Sequence, residues 1–99
     1  MKQPQNAMTL RFDSRSVNEG FARVSAAATV AQLDPTLDEL NDLKTAVSEA
    51  VTNCIVHAYP DSVGQITLTI RLFENSLVEI VVKDRGRGIP DIDQARQPL

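Results

Sequence analysis

The sequence predicts an α+β fold, a two-layer sandwich with helices on one face of an antiparallel or mixed sheet. Apolar and polar residues alternate near the N-terminus and again over residues 65–83, the period of half-buried strands. Between these segments, two stretches carry apolar residues at spacings of three and four, the period of helices with one buried face. A chain of 99 residues, 42% hydrophobic and 23% charged, has room for one such domain.

The first strand and the first helix are predicted from the N-terminal third. Over residues 8–13 apolar side chains alternate with polar ones, and the apolar side chains of Met8, Leu10 and Phe12 are expected to be buried. Ser16 and Glu19 have the spacing of a capping box and predict the start of a helix that ends near Leu33. The buried stripe of this helix is expected to consist of Phe21, Val24, Ala28 and Ala31.

The second helix is predicted from about residue 37 to about residue 58. Asp34 and Pro35 end the first helix, and Thr36 with Glu39 forms a second capping box. Its apolar stripe is expected to consist of Leu37, Leu40, Leu43, Val47, Ala50, Val51, Cys54 and Ile55.

An antiparallel hairpin is predicted after the loop of residues 59–64. Alternating segments over 65–72 and 77–83 flank a short turn at 74–76. Residues 84–90 are expected to form a loop, and residues 91–95 to start a helical turn before Pro98. These elements predict a thin sheet of three strands, with an uncovered edge beside the hairpin.

Composition and charge exclude several classes of function. Ten Lys and Arg against thirteen Asp and Glu give a net charge of −3, so no basic field is available for nucleic acid or an anionic membrane surface. The single cysteine, Cys54, excludes an intrachain disulfide, and with one His it provides no zinc cluster. The N-terminus has no apolar stretch typical of a signal peptide. We therefore expect a cytoplasmic protein without membrane or nucleic acid contacts.

Three polar residues, Glu49, Asn53 and His57, follow one another at intervals of four within the second predicted helix. They are expected to point in similar directions, because four residues displace a side chain by only about 40° around the axis. An ordinary solvated face explains the line, with His57 a polar contact at the helix end. The small neighbours, Ala50 among them, favour close approach of another molecule. A carboxylate and an amide oxygen at this spacing suit Mg²⁺ and proton transfer.

A second group of residues, Asp84, Gly86 and Gly88, follows the last predicted strand in the segment DRGRGIP. A plain turn explains these residue types. A buried carboxylate could equally accept hydrogen bonds from an exocyclic amine, with the glycines letting the backbone approach a flat ring. The segment is neither a GxxxxGK[ST] loop nor a GxGxxG turn.

Together, EAVTNCIVHAY and DRGRGIP resemble the N box and first glycine box of the GHKL ATP-binding fold shared by gyrase, Hsp90, MutL and histidine kinases. Within this superfamily, FARVSAAATVAQLDPTLDEL and IPDIDQARQPL resemble the anti-sigma factor family of endospore-forming bacteria, whose members are serine protein kinases. The resemblance covers nearly all 99 residues. The family's lid and second glycine-rich box correspond to positions beyond Leu99, so we expect residues 1–99 to form one truncated domain of this type.

The resemblance implies a role for each matching residue with ATP or ADP and Mg²⁺ as cofactors. Glu49 would be the catalytic base that accepts the proton of the attacking serine, and Asn53 would coordinate Mg²⁺ and bind the nucleotide. Asp84 would accept a hydrogen bond from the adenine amine. The other nucleotide-binding positions would be Gly86, Gly88, His57 and Ala50.

The resemblance also implies partners. Family members are homodimers that sequester a sigma factor, here of the sigma F type, and phosphorylate a serine of an anti-anti-sigma factor, thereby controlling sporulation transcription. Arg23 matches the arginine that the family presents to its partners.

Two other hypotheses compete with an ATP-dependent serine kinase. One is a catalytically inactive interaction module that forms dimers and binds partners only. The other is the ATP-binding domain of a sensor histidine kinase. It is disfavoured because the first strand begins within ten residues of Met1, with no preceding dimerisation helix that carries a phosphoacceptor histidine.

Overall fold

Two helices pack on one face of an antiparallel sheet, which confirms the predicted α+β class. The computed structural model describes residues 3–84 and the backbone of residues 92–98. Its main elements in chain order are β1 (Asn6–Asp13), α1 (Val17–Val30), α2 (Leu37–Asn53), β2 (Gln65–Phe73), β3 (Leu77–Asp84) and β4 (Ile92–Pro98). A 3₁₀ turn, Ala31–Leu33, follows α1, and a π-helix, Cys54–Ala58, continues α2. The strand order is β1-β2-β3-β4.

The core lies between the sheet and the layer formed by α1 and α2, which also pack against each other. The buried face of the sheet consists of alternate residues of β2 and β3: Ile66, Leu68, Ile70, Leu72, Val78, Ile80 and Val82. Opposite them, α2 buries Leu43, Val47 and Val51. Leu37, at the first turn of α2, is 72% exposed and does not join the predicted stripe, because the helix begins beyond the edge of this core.

The start of α2 confirms the second capping box. The side chain of Thr36 accepts a hydrogen bond from the Glu39 backbone N–H at 3.1 Å, and the Glu39 carboxylate accepts one from the Thr36 N–H at 2.8 Å. The first capping box is wrong. Ser16 has helical backbone angles and makes no capping bond. The Glu19 carboxylate instead accepts a hydrogen bond from Arg23, a stronger donor one turn along α1.

The predicted buried stripe of α1 is also wrong. Phe21 and Val24 are 59% and 58% exposed, and Ala28 and Ala31 are exposed as well. The face that packs on the core consists instead of Ala22, Ala26, Thr29 and Val30. Their small side chains allow α1 to approach α2 and the sheet closely, and an Ala-rich helix offers apolar spacing on more than one face.

The β2–β3 hairpin is confirmed, and the turn contains Asn75 and Ser76 with left-handed backbone angles, φ of 64° and 59°. The predicted helical turn at residues 91–95 is wrong, because β4 pairs antiparallel with β3 and makes the sheet four-stranded. The hairpin edge offers unpaired N–H and C=O groups, and pairing with them outweighs a weak local helix signal. The edge predicted to be bare beside the hairpin is therefore covered.

At the other end of the sheet, β1 pairs with β2 on one side, and no other described strand lies beyond it. Leu10 and Phe12 are half-buried as expected. Met8 is 46% exposed, contrary to its predicted burial, because it lies toward the start of this edge strand. In the described part of the chain, no helix has the length and apolar character needed to cross a membrane.

Candidate functional site

A cavity of about 310 Å³ opens against α2. The described residues that line it are Ser48, Glu49, Thr52 and Asn53. Glu49 and Asn53 are exposed and lie one turn apart on α2, so the four-residue spacing places both side chains at the cavity, as expected for one helical face. The cavity therefore offers a carboxylate and an amide together.

Ser48 and Thr52 are cavity residues that the sequence reasoning missed. Each directly precedes one of the predicted site residues, and the two are also four positions apart. The same helical spacing that identified Glu49 and Asn53 could have found this second row. The two hydroxyls add hydrogen-bond donors to a wall that otherwise presents a carboxylate and an amide.

His57 and Ala50 are not among the described residues that line the cavity. Ala50 is half-buried and packs against the hydrophobic core. His57 is exposed and lies in the π-helix, not in α2. A π-helix has more residues per turn than an α-helix, so each residue of Cys54–Ala58 advances less around the axis. Such segments often mark functional sites.

Asp84 ends β3 and is 1% exposed. It lies opposite Ile66 in the β2–β3 register and shares the helix-facing side of the sheet with Val82, two residues before it. This carboxylate lies on the helix side of the sheet, where β3 contacts the π-helix. A carboxylate is rarely buried, because burial without a polar partner is costly, so a buried aspartate at the end of a strand is unusual. The predicted positions Gly86 and Gly88 lie outside the described residues.

The end of the helical stretch is fixed to the sheet by the loop that contains Gly64. The Tyr59 hydroxyl donates a hydrogen bond to the Gln65 carbonyl at 2.8 Å. Gly64 N–H donates to Ser14 Oγ at 2.9 Å, and Ser14 N–H donates to the Gly64 carbonyl at 2.9 Å. Tyr59, directly after the π-helix, is thereby bonded to β2, and the following loop is bonded to the residue after β1.

Arg23 lies on α1 and reaches toward the cavity. Its Nη1 donates to Glu19 Oε1 at 2.8 Å and to Ser48 Oγ at 3.3 Å, and its side chain is 41% exposed. The predicted partner-binding residue is therefore both accessible and in contact with a residue that lines the cavity.

The carboxylate and amide oxygens at the cavity are suited to a hard cation that is bound by the protein and by a ligand together. Within the described residues, no group of three or more His, Cys, Asp or Glu side chains is placed to hold a metal by itself. Carboxylate and amide oxygens suit Mg²⁺, which usually takes one or two protein ligands and completes its shell with phosphate oxygens and water.

The family model described as histidine kinase-like ATPase domain matches residues 10–99. The chain is 55% identical, over 95 residues, to the anti-sigma F factors of Geobacillus kaustophilus and Geobacillus stearothermophilus. It is 49% identical over 96 residues to the anti-sigma F factor of Priestia megaterium. Each match covers 96% of this chain and 65% of the relative, so the chain spans just under two thirds of the relatives' length. Since the family model covers nearly all of it, this chain belongs to the histidine kinase-like ATPase domain family.

Proposed function

We propose that this chain binds ATP or ADP with Mg²⁺, and that the protein is an anti-sigma factor and ATP-dependent serine kinase that controls sporulation transcription in the bacterial cytoplasm. The observation that carries the proposal is the joint placement of Glu49 and Asn53 at one cavity of about 310 Å³. The matched family and the names of the relatives support it.

Glu49 is the proposed general base. A base must come within hydrogen-bond reach of the proton that it accepts, and Glu49 is exposed at the cavity wall, where a serine hydroxyl could approach it. Asn53 is the proposed Mg²⁺ ligand and nucleotide contact, one turn away. When bound, Mg·ATP supplies the phosphoryl group, and the metal offsets the charge on its oxygens. The protein contributes orientation and the proton acceptor.

Asp84 is the proposed adenine-reading residue. Asp84 is only 1% exposed, which supports this role, because a desolvated carboxylate discriminates strongly between a donor and an acceptor on the ligand. Gly86 and Gly88 are proposed to let the base lie against the chain, and His57 and Ala50 remain proposed nucleotide contacts. Neither of these last two lines the cavity with Glu49, so they would act nearer the adenine side.

The proposed partners are a sigma factor of the sigma F type and an anti-anti-sigma factor that is phosphorylated on serine. Arg23 is the proposed contact for both. Its side chain is 41% exposed and its guanidinium is held in place by Glu19, so little conformational freedom is lost when a partner binds.

A homodimer is proposed through β1 and α1. The outer face of α1 carries an exposed apolar stripe at helical spacing, which consists of Val17, Phe21, Val24 and Ala28. Met8, on the edge strand β1, is also exposed. A second copy of this chain would cover the apolar stripe and pair with the strand edge.

An interaction module without kinase activity is the second candidate function. The specific observation in its favour is that this apolar stripe lies on α1, whereas the described residues that line the cavity lie on α2. The module would form dimers and bind partners through α1 in the absence of nucleotide.

Titration calorimetry with Mg·ADP and Mg·GDP distinguishes the two. The kinase proposal expects saturable binding of Mg·ADP, tighter than that of Mg·GDP, with heat lost when EDTA removes the metal. An interaction module expects no heat from either nucleotide but undiminished binding of the sigma factor.

A further inference from the structure

Arg23 and Ser48 connect the outer surface of the helical layer with the cavity. The two residues lie on α1 and α2, 25 positions apart, and Arg23 Nη1 donates to Ser48 Oγ at 3.3 Å. The same nitrogen donates to Glu19 Oε1 at 2.8 Å, so the guanidinium is fixed from two sides. Ser48 in turn lines the cavity beside Glu49.

The contact determines what the Ser48 hydroxyl can do. A hydroxyl has one donor and two acceptor positions, and Arg23 occupies one acceptor position. Within residues 3–84, the hydroxyl makes no hydrogen bond as a donor to a protein group. Since the arginine repels the hydroxyl proton, that proton is directed away from α1. A group that accepts a hydrogen bond from the Ser48 hydroxyl can therefore lie in the cavity.

We propose that Ser48 donates to an oxygen of an anionic ligand in this cavity, and that Arg23 is a positioning residue that orients and polarises Ser48 for this contact. The proposal rests on the function proposed above and specifies the ligand group as a nucleotide phosphate. A serine polarised by a cation is a stronger donor than an isolated one, because chains of hydrogen bonds strengthen one another in a partly buried setting.

The test is a double-mutant cycle on the affinity for a non-hydrolysable ATP analogue with Mg²⁺, measured by calorimetry. We expect Ser48→Ala to weaken binding about fivefold, the value of one ordinary hydrogen bond. Arg23→Ala is expected to weaken binding by a smaller factor, because it leaves the Ser48 hydroxyl in place. The double variant is expected to be no weaker than Ser48→Ala, because Arg23 acts on the ligand only through Ser48. Ser48→Thr, which keeps the hydroxyl, is expected to bind within twofold of the wild type. Thr45→Ala, an exposed hydroxyl of α2 that does not line the cavity, is the matched control.

If the wild type binds the analogue and Ser48→Ala binds it with the same affinity, this inference is overturned and the proposed function stands. Additive losses in the double variant, or an equal loss in Ser48→Thr, would overturn it as well. Absence of binding by the wild type would overturn the proposed function itself. Circular dichroism melting confirms that each variant is folded. If Arg23→Ala melts early, Arg23→Met, which keeps an unbranched apolar side chain but lacks the charge and the donors, replaces it in the cycle.

Discussion

The Tyr59 ring lies over Gly64 so closely that it occupies the space in which a Cβ at position 64 would lie. The same tyrosine is anchored at its far end, where its hydroxyl donates to the Gln65 carbonyl at 2.8 Å. Gly64 is also bonded to Ser14 in both directions. The ring therefore has little freedom to move, and the join between the π-helix and the sheet depends on glycine at this position.

Gly64→Ala is expected to lower the free energy of unfolding by about 1–3 kcal/mol, the cost of overpacking where the neighbour is a buried ring. Urea denaturation followed by circular dichroism measures it. Ser62→Ala, at an exposed position of the same loop, is the control and should change stability by less than about 0.5 kcal/mol. Equal stability of the two variants would show that the ring can move aside.

Thr36→Ala is expected to lower the free energy of unfolding by about 1 kcal/mol, because it removes the side-chain acceptor of a complete capping box at the start of α2. Ser16→Ala is the matched control, since Ser16 makes no capping bond at the start of α1, and it should be nearly neutral. Denaturant midpoints of the two variants measure the difference. A larger loss in Ser16→Ala would contradict the assignment of the two helix starts.

The structure explains which parts of the fold could be predicted from sequence. The α2 stripe and the hairpin could be predicted because large apolar residues repeat there with one clear period. The buried face of α1 could not, because Ala22 and Ala26 compete with the bulkier Phe21 and Val24 on another face. Hydrophobicity favours the larger pair, whereas close packing against α2 selects the smaller one. That selection depends on a neighbour distant in sequence.

In the site, too, the features that depend on local spacing could be predicted, and those that depend on packing between helices could not. Glu49 and Asn53 could be placed together because helical spacing is a local property. The contact between Arg23 and Ser48 joins two helices across 25 positions, so no spacing rule within one element indicates it. Their relation required the packing of α1 on α2.

Arg23→Ala is expected to weaken binding of the sigma factor while leaving the fold intact. The Arg23–Glu19 pair is partly exposed, so its loss should cost no more than about 1 kcal/mol of stability. Calorimetry with the purified sigma factor measures the affinity, and thermal melting checks the fold. Arg15→Ala removes an exposed arginine outside α1 and serves as the control. Unchanged affinity in Arg23→Ala would remove Arg23 from the partner site.

Phe21→Asp is expected to convert the proposed dimer into a monomer, because it places a charge in the apolar stripe on the outer face of α1. The fold should persist, since Phe21 is 59% exposed in the single chain. Sedimentation velocity at tens of micromolar measures the oligomeric state. Val63→Asp, at a half-exposed apolar loop position, should leave the proposed dimer unchanged. A wild type that sediments only as a monomer would contradict the proposed interface.

Asp84→Asn and Asn53→Ala are expected to fail in different ways. Asp84→Asn replaces a carboxylate oxygen with an amide that can present a donor to the adenine amine, and such mispairing at a buried site costs about 1–3 kcal/mol. The preference for ADP over GDP should therefore fall by about 5- to 150-fold. Asn53→Ala removes the proposed metal ligand at the cavity, so the adenine preference should persist while the effect of Mg²⁺ on binding disappears.

Titration of both variants with ADP and GDP, each with Mg²⁺ and with EDTA, separates the two roles. The comparison of ADP with GDP measures adenine recognition, and the comparison of Mg²⁺ with EDTA measures metal binding. Asp61→Asn and Asn41→Ala make the same chemical changes at exposed positions away from the cavity, and both should behave as the wild type. If Asn53→Ala keeps the wild-type response to Mg²⁺, the metal is held elsewhere. If Asp84→Asn keeps the original preference for ADP, the buried carboxylate of β3 has a structural role, and another group reads the adenine.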